Sequence, residues 1–304
     1  MGNLDIVYKS SVEQHEIDNL GHMNVQFYVL HSIQACELFF KKNNLIKWSQ
    51  TLDSQMILDT INIRYLREQT LAIPFEISAN FTNITNLKVE VFLEMINSIT
   101  KGISATFLLK FKFDSNQNDI SKLFLEVKEN FSGKYISIPD HGRKKGLLSL
   151  PKLNLNYKEI NQIPNALVSF CGLAFKKNCS EVNILNAADY MGVVSSGVPH
   201  LLLKGGHSIQ ETGIGGAAIE YEFRFNKFVK QGTGLLLKSG LRSIAEKTYI
   251  WTHWLIELGT NSLIATADSV IITMDLKSRK SVPIPEKMRV KLKDLLIKSI
   301  IKNS

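Results

Sequence analysis

Cysteine is scarce in this chain. Only Cys36, Cys171 and Cys179 occur in 304 residues, an odd number without the close pair spacing of a metal site. That argues against both a disulfide framework and structural zinc. Long apolar runs are missing as well. Although 44% of the residues are apolar, no stretch is long enough to cross a bilayer, so a globular protein without stable membrane insertion is expected. The opening residues MGNLDIVYKSSV hold no apolar signal core, which makes the cytoplasm the expected location. Basic residues gather in GRKKG (142–146) and along the last helical segment with no aromatic interleaving and no nucleic-acid motif, which argues against a nucleic-acid partner. Two familiar catalytic patterns are also lacking. Ser195 and Ser196 have no G-x-S-x-G elbow around them, and GIGG at 213–216 is not set in a strand-turn-helix unit, which disfavours a serine hydrolase and a dinucleotide site.

What is present is an excess of positive charge, 36 Lys and Arg against 28 Asp and Glu, a formal +8 that would suit an anionic ligand. The length points to two units of roughly 150 residues each. The pattern agrees. After a strand-like LDIVYKSSV and a polar loop comes VQFYVLHSIQACELFF (25–40), where Val25, Val29, Ile33 and Phe40 share a face that Phe27, Leu30, Leu38 and Phe39 widen. This predicts a helix buried on most sides. Four alternating, β-branched or aromatic segments follow at 56–66, 73–81, 88–96 and 103–113. The region 131–165 changes character, carrying breakers such as PDHGRKKG and LPK, and reads as a linker.

The second half replays the order: a strand at 166–175, a helix at 187–203, strands in AIEYEFRF, GLLLKSGLRSI, TYIWTHWLIEL and LIATADSVIITMD, then an amphipathic helix at 285–302. Setting Phe27-Tyr28 on Asp189-Tyr190 gives an offset of 162, and setting Ile103 on Ile264 gives 161. The reading is a tandem duplication of an α+β unit, 1–130 and 166–304, joined by the linker.

Within the first copy, EIDNLGHMN (16–24) packs Asp18, Gly21, His22 and Asn24 just ahead of the helix. Two readings stand. The stretch can be a capped turn, with Asn24 as N-cap and Gly21 supplying the turn. It can equally bring a carboxylate, a neutral-range imidazole and helix-end amides to one spot, as acyl transfer to water requires.

Asp18, Gly21, His22, Met23 and Asn24 followed by Tyr28 resemble the D-x-x-G-H-M-N-x-x-x-Y signature of hotdog-fold acyl-CoA thioesterases of the 4-hydroxybenzoyl-CoA thioesterase type, and IRYLRE (63–68) resembles the strand after their helix. The resemblance implies a double hotdog, two curved antiparallel sheets each wrapping a central helix. It implies an acyl-CoA substrate, no cofactor, no metal, an intramolecular pair of hotdog units and the option of further homo-oligomers. Asp18 would be the catalytic carboxylate, as nucleophile or as the base that orients water. His22 and Asn24 would position the carbonyl or the water, while Gly21, Met23 and Tyr28 would form the substrate-binding surface. Acyl carrier protein thioesters are the alternative substrate form. A non-catalytic acyl-CoA-binding or structural hotdog protein is the alternative class, and the acid-histidine pattern of hotdog hydratases is not evident.

At an offset of 162 the second copy carries Ser180, Asn183, Ile184 and Asn186 in place of Asp18, Gly21, His22 and Asn24. The carboxylate, glycine and histidine are gone together, and neighbouring Glu181 replaces only the first. A second working site is therefore not expected. His200, His207 and His253 read as structural, and Arg64 and Arg67 as candidates either for phosphate contacts or for a solvated sheet face.

Overall fold

The computed structural model describes residues 4–43, 56–85, 88–113, 135–179, 183–206 and 213–297. Two compact units divide the chain, Met1–Lys144 and Lys145–Ser304.

The first unit contains β1 (Asp5–Ser11), α1 (Val25–Lys42), β2 (Met56–Tyr65), β3 (Pro74–Ile84), β4 (Lys88–Asn97) and β5 (Ile103–Phe113). The strands form an antiparallel sheet in the order β1-β3-β4-β5-β2. Alternation along β3 sends Phe75, Ile77, Ala79 and Phe81 inward, each at most 1% exposed. Helix α1 lies against β1, β3 and β4. Phe39 meets Phe81 at 4.8 Å between ring centroids and Phe40 meets Phe111 at 5.5 Å. Burial of each such ring contributes about 2–3 kcal/mol. The burial on most sides expected for this helix is narrower in fact. Leu38 is 42% exposed, and Phe27 and Leu30 are only half-buried, because residues on the side away from the sheet have no layer of the unit to pack on.

The second unit opens with the short helix α2 (Tyr157–Asn161) and continues with β6 (Leu167–Leu173), α3 (Ala187–Gly205), β7 (Ile214–Phe225), β8 (Gly234–Ile244), β9 (Thr248–Glu257), β10 (Ser262–Asp275), the two-residue β11 (Lys280–Ser281) and α4 (Glu286–Asp294). Its five long strands follow the order β6-β8-β9-β10-β7, that of the first sheet. The fold is α+β, a double hotdog.

The duplication extends to individual backbone bonds. The bridge Ile17–Met23 recurs as Cys179–Leu185, 162 residues on. The bond from Asn24 N–H to Glu16 O (2.8 Å) recurs from Asn186 to Asn178 (3.1 Å). Edge strands β1 and β6 both carry an irregularity, between Ile6 and Tyr8 and between Val168 and Phe170. Beyond the helix the offset drops. Leu66 N–H bonds Ser104 O and Asn226 N–H bonds Ile264 O, so Ser104 corresponds to Ile264 at 160. The value of 161 expected for the strands is thus one too many. The connection after the helix is two residues shorter in the second copy, which strand alternation alone does not reveal.

The C-terminal helix is shorter than its apolar spacing predicts. It ends at Asp294, and Ile297 N–H then bonds Leu241 O of β8 at 3.0 Å. Met288 and Leu292 are buried with Leu241 and Trp251 while Lys287, Lys291 and Lys293 face outward. Ile300 lies outside the described residues.

Candidate active site

The loop Ile17–Met23 is a closed turn ahead of α1. Asp18 N–H donates to His22 O (2.9 Å), Gly21 N–H donates to Asp18 O (3.1 Å), and the Ile17–Met23 bridge shuts the base. Gly21 sits at φ +85°, and nothing lies within 4 Å of where a Cβ would be. Its equivalent Asn183 keeps a left-handed φ of 60°, so the backbone angle belongs to the fold and asparagine tolerates it. What glycine adds is open space beside the main chain.

Turning the chain this way brings the side chains together. Asp18 Oδ1 accepts the Leu20 N–H at 2.8 Å, which leaves Oδ2 facing His22 Nδ1 at 3.3 Å. Both side chains are just under one-fifth exposed. On the opposite edge of the imidazole, Nε2 lies 3.5 Å from Glu68 Oε1. The histidine is therefore flanked by two carboxylates, and the sequence reading assigned Glu68 no role. Nothing in local spacing pairs residue 22 with residue 68. The register of the stretch after β2, where Met23 N–H donates to Gln69 O at 2.8 Å, sets that contact.

Asn24 and Tyr28 are engaged structurally. Asn24 Oδ1 accepts the Gln26 N–H at 3.0 Å and so caps α1. Its counterpart Asn186 makes no such cap bond. Replacing Asn24 by Ala is expected to cost about 1 kcal/mol, measurable as a lower urea midpoint with an unchanged slope. Tyr28 is 3% exposed, its hydroxyl accepts the Gln69 N–H at 3.0 Å, and burial raises its pKa. Met23 is 2% exposed. Met23 and Tyr28 thus both lie in the interior behind the loop. Asp18, Gly21 and His22 do stand together at the mouth of the loop, where α1 begins. In that first turn the Gln26 and Phe27 amides are taken by Asn24. The Val25 N–H has no acceptor among the described residues.

Arg64 is occupied: its Nη1 donates to His141 O (2.8 Å) and Arg143 O (3.2 Å). Arg67 Nη1 donates to Ile103 O at 3.2 Å. Both therefore hold backbone through Nη1. Ser180 and Glu181 of the second copy lie outside the described residues, as does His207. His200 is exposed. His253 is buried, with Nδ1 2.9 Å from Ser239 Oγ and Nε2 3.2 Å from Ser269 Oγ. Among the described residues no group of three potential metal ligands occurs, and no helix is long and apolar enough to cross a membrane.

A family model described as the thioesterase-like superfamily matches residues 12–130 and again 176–292, the two copies found above. The chain belongs to the thioesterase-like superfamily. Thioester hydrolysis is the activity that this membership brings, and the 4-hydroxybenzoyl-CoA thioesterase type is not singled out within it. Solved structures similar to this thioesterase-like chain include the 12:0-ACP thioesterase from Umbellularia californica, at 11% identity and a TM-score of 0.61, over 88% of this chain and 93% of that one. An acyl-ACP thioesterase from Bacteroides thetaiotaomicron aligns at 10% identity and a TM-score of 0.59, over 87% and 96%. A conserved protein of unknown function with a hotdog fold from Alicyclobacillus acidocaldarius aligns at 11% identity and a TM-score of 0.51, over 87% and 92%. At these identities the likeness carries the fold alone. No curated protein matches the sequence.

Proposed function

We propose that this protein hydrolyses acyl-CoA to the free acid and CoA thiol at the loop of its first unit, with Asp18 as the catalytic carboxylate. The observation that carries the reading is the approach of Asp18 Oδ2 to His22 Nδ1 at 3.3 Å beside open space at Gly21. Water adds its oxygen to the thioester carbonyl carbon, the C–S bond breaks, and the thiolate takes a proton as it leaves. A thioester needs no strong acid for that departure. Asp18, with one oxygen fixed by Leu20 and the other turned to His22, takes the proton of the attacking water or attacks the carbonyl itself. The Val25 amide, at the positive end of α1, is the donor we assign to the developing oxyanion. His22 orients the reacting water, and Glu68 holds the far side of the imidazole.

A second carrier is favoured by one observation: two of the thioesterases that align over most of both chains are named for acyl carrier protein substrates. Both carriers present the same thioester on a pantetheine arm, so the chemistry at Asp18 is common to them. The test is release of free thiol from a panel of acyl-CoA and acyl carrier protein thioesters by wild type and Asp18→Asn. Hydrolysis of at least one thioester that Asp18→Asn abolishes is the expected result. No release from any substrate, or equal rates in the two proteins, refutes it. A rate on the carrier-protein substrate at least about tenfold above that on the matching acyl-CoA, a difference of about 1.4 kcal/mol in transition-state binding, would assign the second carrier.

A further inference from the structure

Behind the loop lies a second carboxylate–imidazole pair that the proposed chemistry does not use. Glu16 and His31 are 3% and 5% exposed, and Glu16 Oε1 is 2.8 Å from His31 Nε2. The other carboxylate oxygen accepts the Glu13 N–H at 3.1 Å. The other ring nitrogen, Nδ1, lies 2.8 Å from the Tyr8 hydroxyl, which also bonds Gln34 Oε1 at 2.9 Å. The imidazole ring packs edge-on against Phe75 at 4.9 Å. One chain of contacts thus joins β1, the residue that opens the loop, and the second turn of α1.

Burying such a pair is costly, and apolar replacements of similar volume are commonly neutral or stabilising. The second unit of this molecule does without the pair. At the equivalent positions of the second unit stand Phe170, Asn178 and Val193, on the same backbone. There the Asn178 side chain donates instead to Asp189 in the first turn of α3. The fold therefore does not require the Tyr8–His31–Glu16 chain. It occurs in the copy that has Asp18, Gly21 and His22, and not in the copy that lacks them.

We infer that Glu16, His31 and Tyr8 are positioning residues for the reaction at Asp18, an inference that rests on the activity proposed above. Glu16 is two residues before Asp18, and its own carbonyl accepts the Asn24 N–H at 2.8 Å. Clamping its side chain to His31 fixes both ends of the loop against the helix. The distance from the Asp18 carboxylate to the first-turn amides is then set by α1 itself. Small misplacements of such groups are expensive in rate.

The test transplants the second unit's residues into the first: Tyr8→Phe, Glu16→Asn and His31→Val together. The second unit folds with these three residues, although there Asp189 also receives the Asn178 side chain where the first unit has Phe27, so the variant is expected to fold with a melting temperature within a few degrees of wild type. Thiol release should fall about 10- to 100-fold in kcat, with KM held within about twofold. Amide exchange of Asp18 and Asn24 should quicken relative to wild type. His31→Gln, which keeps a donor towards Glu16, should recover most of the rate. Unchanged exchange at Asp18 and Asn24 overturns the inference whatever the rate does. If the triple variant does not fold, Tyr8→Phe alone decides by the same exchange measurement. If wild type hydrolyses no thioester while exchange does quicken, the proposed activity fails and the anchoring of the loop stands.

Discussion

Asp18→Asn is expected to lower kcat for thioester hydrolysis by about 10²- to 10⁴-fold, the range spanned by a positioned general base. The substitution is nearly isosteric and preserves the local structure. An asparagine Oδ1 still accepts the Leu20 N–H that Asp18 takes at 2.8 Å, and the backbone bonds from Asp18 to His22 and Gly21 are untouched. What is lost is the negative charge facing His22 at 3.3 Å and the capacity to take a proton or attack a carbonyl. The melting temperature should therefore stay near wild type while turnover collapses. An Asp18→Asn protein that folds normally and turns over at the wild-type rate would remove the carboxylate from the mechanism and leave the loop as a capped turn.

Acidification from pH 7 to pH 4 should destabilise the second unit by about 3 kcal/mol through His253 alone. Complete burial drives its pKa down from the ordinary 6.5 to about 4, against a smaller opposing pull from Asp268. The folded state holds the ring neutral, whereas the unfolded chain binds a proton once the pH drops through about 6.5. The stability due to the neutral ring is therefore fully present above that value, is lost as pH falls, and levels off below about 4. His31 of the first unit, also held low by burial, works in the same direction. His253→Leu places at this position the residue that occupies its equivalent, Leu93, in the first unit. Ser239 retains Ser169 at 2.9 Å after that change. The variant should unfold with a markedly smaller loss of stability between pH 7 and pH 4, read from urea midpoints by the fluorescence of Trp251 and Trp254. An equal loss in both proteins would place the acid sensitivity elsewhere.

The row containing His253 also shows how two copies of one fold part company. Tyr221, Ser269, His253 and Ser239 cross the second sheet where Ile61, Leu109, Leu93 and Ala79 cross the first. Strand alternation is satisfied by either set, because buried hydroxyls that find partners count as interior residues. The polar row is legible in the sequence only after the register is known.

Much of the molecule was legible beforehand because it follows from short-range periodicity. Strand alternation and the apolar stripe of 25–40 place the long strands and the two central helices within a few residues of their observed bounds, and the repeated order of elements establishes the duplication. Asp18, Gly21, His22 and Asn24 are legible as a group because a turn and a helix start bring near neighbours in sequence together. The exposure of Leu38, the end of the last helix at Asp294 and the offset of 160 in the strands were not. Each depends on which layer covers a face or how long a connection is, and neither leaves a periodic trace.

By itself, the sequence determined two α+β units in tandem, a loop with one carboxylate and one imidazole in the first, and the loss of both in the second. The tertiary structure alone decided that Glu68 reaches His22, that Asn24 and Tyr28 are committed to backbone groups, and that Glu16 meets His31 and Tyr8. The reason is physical. Residues within a turn of one another are placed by local dihedral preferences, whereas residues 22 and 68, or 8 and 31, meet only after a sheet has registered and a helix has packed on it.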